Sequence, residues 1–132
     1  ATKEKEFHKR LHIIFKEIEN LMHEYQPDVV AIENVFMHRN ADSALKLGQA
    51  KAAAICGTFK SGLTVYEYAA REVKQAVVGK GSAEKEQVQY MVKIILSIKN
   101  RELRLDESDA LAIAICHAHS YEMEKTIKPL AR

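Results

Sequence analysis

Cysteine is scarce in this chain: two residues out of 132, Cys56 in "AAAICGTF" and Cys116 in "ALAIAICHA". Both sit in apolar, helical-looking surroundings without metal-ligand spacing, which favours reduced thiols of an intracellular protein over a disulfide. Long hydrophobic runs are missing too; none approaches the ~20 apolar residues that span a bilayer. The opening "ATKEKEFHKR" lacks the apolar h-region of a secretory signal. A soluble, cytoplasmic protein with no membrane partner is the expectation. Neither charge sign dominates, since 20 Lys plus Arg face 18 Asp plus Glu for a net +2. Such a balance neither demands nor excludes nucleic acid, so only clustering of the bases can decide. Repeats, low-complexity linkers and a Walker phosphate loop are absent.

What is present suits one domain. Apolar residues make up 47% of the chain, and this length supports one real core rather than two. The expectation is a single domain over residues 1–132. Phe7, Leu11, Ile14, Phe15, Ile18, Leu21 and Met22 recur in steps of three and four, predicting a helix over 3–25 that Pro27 closes. The run "DVVAIE" then reads as a buried strand over 28–33. An Ala- and Leu-rich segment predicts a helix over about 42–60, whose Ala44, Gly48, Ala52 and Ala53 suit close helix approach. That helix is either interior or an interface between copies. A short strand over Thr64–Glu67 and a helix over 69–78 ending at Gly79 follow. Next, Ser82 reads as the N-cap of a periodic helix in which Met91, Ile94, Ile95 and Ile98 are core candidates. A last helix begins at about residue 106. Strands alternating with helices imply an α/β fold with parallel pairing, predominantly helical, although two strands make a thin sheet.

The chemistry-bearing residues are acidic. Glu33 ends the buried strand, where its charge needs compensation; alone, it either pairs with a neighbouring Lys or serves a site. Asp106 and Asp109 lie three apart at the start of the last helix, so both project from one side. Alone, they read as first-turn caps. Carboxylates converging from a strand end and a helix start make the oxygen-rich site that Mg²⁺ or Mn²⁺ prefers. Such a site can activate water and stabilise the leaving oxygen of a phosphodiester. Around these, Arg71 and Lys74 share one side of a helix, and Lys80 and Lys85 flank the "GKGS" turn. Each could equally be solvated surface, yet a glycine turn entering a helix also presents N–H groups to phosphate. Phe36 with His38 and Arg39 forms a basic–aromatic group suited to bases and phosphates, unless Phe36 folds onto the core. His117 and His119 fall on different helix sides, so zinc is not expected.

Three long blocks carry a resemblance: "AIENVFMHRNADSALKLGQAKAAAI", "VYEYAAREVKQAVVGKGSAEKEQVQYMV" and "DESDALAIAICHAH". In order and over about residues 10–120, they resemble the RuvC family of bacterial Holliday junction resolvases. The resemblance implies an RNase H-like fold and a homodimer that nicks four-way DNA junctions in pairs using divalent metal, Mg²⁺ or else Mn²⁺. A branch-migration helicase complex is a further implied partner. By motif match it implies Glu33, Asp106 and Asp109 as catalytic metal ligands. Lys74 and Lys85 would lie near the DNA and the active site, and Phe36 would stack at the junction. The family's fourth carboxylate lies in an N-terminal strand with two more strands after it. No such segment occurs here, so the sheet is expected to be incomplete. The alternative is a catalytically inactive, dimerising, DNA-binding fragment of the same family.

Overall fold

The computed structural model describes residues 2–34 and 40–131. In order these form α1 (Thr2–Tyr25), β1 (Val30–Asn34), α2 (Ala41–Cys56), a 3-10 turn (Phe59–Ser61), β2 (Val65–Ala69), α3 (Ala70–Val78), α4 (Lys85–Ile95) and α5 (Leu105–Ala131). Among the described residues no helix is long and apolar enough to cross a membrane. The chain forms two compact units, residues 1–30 with 36–65 and residues 31–35 with 66–132.

In the first unit α1 packs on α2. The spacing of its apolar residues explains the orientation: Phe7, Leu11, Ile14, Phe15, Ile18 and Met22 are half-buried, whereas Ile13 between them is exposed. Gln26 adopts a left-handed φ of 44° just before Pro27, and the helix stops there. Asn40 caps α2, its Oδ1 accepting the backbone N–H of Asp42 at 2.9 Å and of Ser43 at 3.3 Å. Close helix approach falls at Gly57 rather than at Gly48. A Cβ on Gly57 would stand 2.8 Å from the Ile18 side chain and the Phe15 carbonyl, whereas one on Gly48 would meet nothing. No residue of α2 is fully buried, and Leu45 and Leu47 face outward.

The second unit holds the core. Tyr68, Val73, Val77, Ala83, Val88, Val92, Leu103, Ala112 and Cys116 pack together, with Val92 wholly inaccessible. β1 and β2 form a two-stranded parallel sheet, and α3, α4 and α5 pack on one another. α3 opens with the Glu72 carboxylate accepting the Ala69 N–H at 3.0 Å and ends at Gly79, whose φ of 89° suits glycine. α4 begins later than its sequence predicts: Glu84, not Ser82, is the N-cap. Ala83 enters the core, its N–H closing a turn onto the Lys80 carbonyl, Glu84 takes an extended backbone, and the Gln87 side chain accepts the Glu84 N–H at 2.9 Å. Ile94 and Ile95 are also not core; they are 52% and 44% exposed. Val88 and Val92, one turn apart, take the inward side of α4, and Ile94 turns away from it. Met91 and Ile98 do pack against the core.

Candidate functional site

Glu33 is the fourth residue of β1, half-buried after Ala31 and Ile32. Asp109 stands exposed in the second turn of α5, whose first turn is strongly fastened. There, buried Ser108 donates its hydroxyl to the Leu105 carbonyl at 2.9 Å, and its N–H reaches the Arg104 carbonyl at 3.0 Å. Glu107 reaches back to accept the Arg104 N–H at 3.1 Å and pairs with the Arg101 guanidinium. That backbone hydrogen bond first, then the Arg101 hydrogen bond, holds the Glu107 carboxyl below its ordinary value. These contacts fix where α5 begins, and hence where Asp109 stands.

Four elements then meet at one cavity. Glu33 from β1, Lys74 from α3, Lys85 at the start of α4 and Asp109 from α5 line about 170 Å³, over a floor including Val73, Val88, Ala112 and Ile113. This volume is smaller than a drug-sized ligand site, typically ~300 Å³ or more. At ~30 Å³ per water it has room for a hydrated ion or one phosphate group. Two carboxylates and two ammonium groups share it. Among the described residues, neither lysine forms a salt bridge, nor do Arg71 and Lys80 nearby in sequence. By contrast, Lys16, Lys46, Lys60, Lys93, Arg101 and Arg104 all have carboxylate partners.

Asp106 does not line the cavity. Its carboxylate is exposed, accepting the Glu107 N–H at 2.9 Å and lying 3.8 Å from Arg104 Nε. Among the described residues no three Asp, Glu, His or Cys side chains converge to hold a metal ion. Phe36, His38 and Arg39 lie outside the described residues.

Several contacts near the site carry no local sequence signal. The Tyr68 hydroxyl and His117 Nδ1 share a 2.6 Å hydrogen bond between β2 and α5, either group donating according to the ring tautomer. The Tyr66 ring lies 4.5 Å from the same imidazole. Alternation in "VYEYA" puts both tyrosines on one side of the strand, but nothing local names His117 as their partner. Cys116 is buried among core residues, which pushes its thiol up and makes it inert. Cys56 is a free, exposed thiol.

This mainly helical α/β structure with its two-stranded parallel sheet matches solved structures of the RNase H-like fold. Thermus thermophilus RuvC matches with a TM-score of 0.79 and 37% identity, over 89% of this chain and 70% of that one. The same protein in complex with Holliday junction substrate matches at 0.81 and 37%, over 87% and 70%. The family model described as crossover junction endodeoxyribonuclease RuvC matches residues 1–117. Relatives with that name include one from Methylococcus capsulatus, 55% identical over 118 residues, covering 89% of this chain and 71% of the relative. Another, from Marinobacter nauticus, is 54% identical over 129 residues, covering 98% and 71%. The chain belongs to the RuvC family.

Proposed function

We propose that residues 1–132 act as one nuclease domain of a divalent-metal-dependent endonuclease that resolves four-way DNA junctions by paired nicking in recombination and repair. One observation carries this reading: four separate elements bring Glu33, Asp109, Lys74 and Lys85 around a single phosphate-sized cavity. Its two carboxylates suit a small hard cation, because Mg²⁺ is commonly held by one or two carboxylates, with waters and substrate phosphates completing its shell. Glu33 and Asp109 would hold that ion, Mg²⁺ or Mn²⁺, and Asp106 would join them on leaving Arg104. When bound, the cation supplies an activated water and charge stabilisation at the leaving oxygen.

The chain's own side chains do the rest. Lys74 and Lys85, which form no salt bridge among the described residues, draw the scissile phosphate in and offset charge developing in the transition state. The apolar floor restricts water to the reacting face. Arg71, Lys80, His38 and Arg39 hold flanking phosphates, and Phe36 stacks on a base at the junction. Pairing of the nicks follows from a homodimer, whose two-fold presents two identical sites to two like strands. The exposed Leu45 and Leu47 on α2 suit the subunit contact. A branch-migration helicase complex in the cytoplasm is the further partner this activity calls for.

The test is Glu33→Gln in the intact protein with a synthetic four-way junction and Mg²⁺. The substitution keeps shape and removes the charge a cation needs, so cleavage should vanish while junction binding persists. Near-parental cleavage would remove Glu33 from the site. A wild type that binds junctions as a dimer yet never cuts them would favour the inactive DNA-binding alternative.

A further inference from the structure

We propose that Gly81 is a positioning residue that seats Arg71 to grip a second backbone phosphate beside the Glu33–Asp109 cavity, an inference resting on the junction-nuclease reading. The glycine is not required by its backbone. Positive φ values among the glycines occur at Gly62 and Gly79, not at Gly81. What Gly81 provides is space: a Cβ there would stand 2.6 Å from Arg71 Cγ, 2.9 Å from Nε and 3.3 Å from Cδ. The arginine stem therefore lies flat against the turn between α3 and α4, and any side chain at position 81 would lift it off.

Laying that stem down costs rotamer freedom, and no carboxylate offsets the cost, because Arg71 forms no salt bridge among the described residues. Arg71 is exposed, so its guanidinium is open to an anion of a ligand. Lys74, one helical turn further along α3, and Lys80 in the turn likewise form no salt bridge among the described residues. Arg71 itself does not line the cavity, although its neighbour Ala70 does. The partner it suits is accordingly not the phosphate in the cavity but an adjacent one on the same strand. A planar guanidinium fork matches phosphate oxygens in a bidentate way, which lysine cannot do. Phosphate contacts of this kind set register and affinity without reading sequence.

The experiment measures binding of a labelled four-way junction over a salt series without divalent metal, for Gly81→Ala, Arg71→Met and the double variant of the intact protein. Arg71→Met keeps the stem and removes the head. Each single change should raise Kd roughly three- to ten-fold and flatten the log K against log salt slope by about 0.9, one phosphate's worth. The double variant should be no worse than Arg71→Met alone. With Mg²⁺ the loss should fall on KM rather than on kcat. A wild-type slope for Arg71→Met, or fully additive losses in the double variant, would overturn the proposal. So would Gly81→Ala binding as tightly as wild type. Should Gly81→Ala melt early, an Arg71→Ala background decides the point: there the same substitution should leave the melting temperature unmoved, and continued destabilisation would refute the seat. Failure of the wild type to prefer four-way junctions over duplex would count against the nuclease reading instead.

Discussion

Tyr68→Phe probes a polar contact between β2 and the helix that carries Asp109. Tyr68 is 9% exposed and packed in the core, so removing its hydroxyl keeps the ring and creates no large cavity. What is lost is the 2.6 Å hydrogen bond to His117 Nδ1. A typical net contribution is ~1 kcal/mol, and leaving a buried partner unpaired raises the cost towards ~3 kcal/mol. His117 is only half-buried, so water can reach the freed nitrogen, and a cost of about 1–1.5 kcal/mol follows. For a domain of this size that lowers the melting temperature by about 3–6 °C. Urea denaturation of Tyr68→Phe, His117→Phe and the double variant closes a mutant cycle. The expected coupling is about 1 kcal/mol, since directly paired residues are not additive. The aromatic replacement at 117 retains a ring beside Tyr66, 4.5 Å away in the native protein, so stacking is not the variable. A coupling below ~0.3 kcal/mol would mean the two groups act independently and would refute the reasoning.

Glu107→Gln tests the fastening of α5 through pH. Glu107 titrates below its ordinary value in the folded chain, mainly because of the Arg104 N–H. A depressed folded pKa gives stability that is complete above the unfolded pKa and lost as pH falls through the folded one. The melting-temperature gap between wild type and Glu107→Gln should therefore be full above the ordinary glutamate range and shrink as pH falls below it; a gap that stays constant as the solution is acidified would contradict it. Val92→Ala removes two methyl groups from a wholly inaccessible site and should cost about 1–3 kcal/mol in urea denaturation. A loss under ~0.5 kcal/mol would show that the surrounding core closes over the space.

What could be read in advance depended on how local its cause was. The half-buried stripe from Phe7 to Met22 follows from steps of three and four alone, and α1 matches its predicted span closely. Glu33 was conspicuous because a carboxylate interrupts an apolar strand, and Asp109 because of its place near a helix start. At Ser82 serine is the better local cap, while the tertiary demand to bury Ala83 moves the N-cap to Glu84. At Ile94 and Ile95, apolar character was visible but the direction each faces was not; Val88 and Val92 decide that. Spacing puts Asp106 beside Asp109, yet Arg104 and the Glu107 N–H draw it outward, a competition within one turn that spacing does not rank. The Tyr68–His117 bond and the Arg71–Gly81 seat join residues distant in sequence or conceal their reason in an unremarkable glycine.

The cavity's dependence on four elements also bears on the order of events when the chain folds. More than half of the chain separates Glu33 from Asp109, so closing that loop carries a large entropic cost that helix formation alone does not repay. The cavity gains its last wall only when α5 docks on α3 and α4. An intermediate with helices formed but α5 undocked would show native-like circular dichroism and no assembled site. Assembly of the cavity on refolding should therefore trail recovery of helical signal, and a renaturing sample judged by its spectrum alone would be credited with a site it does not yet contain.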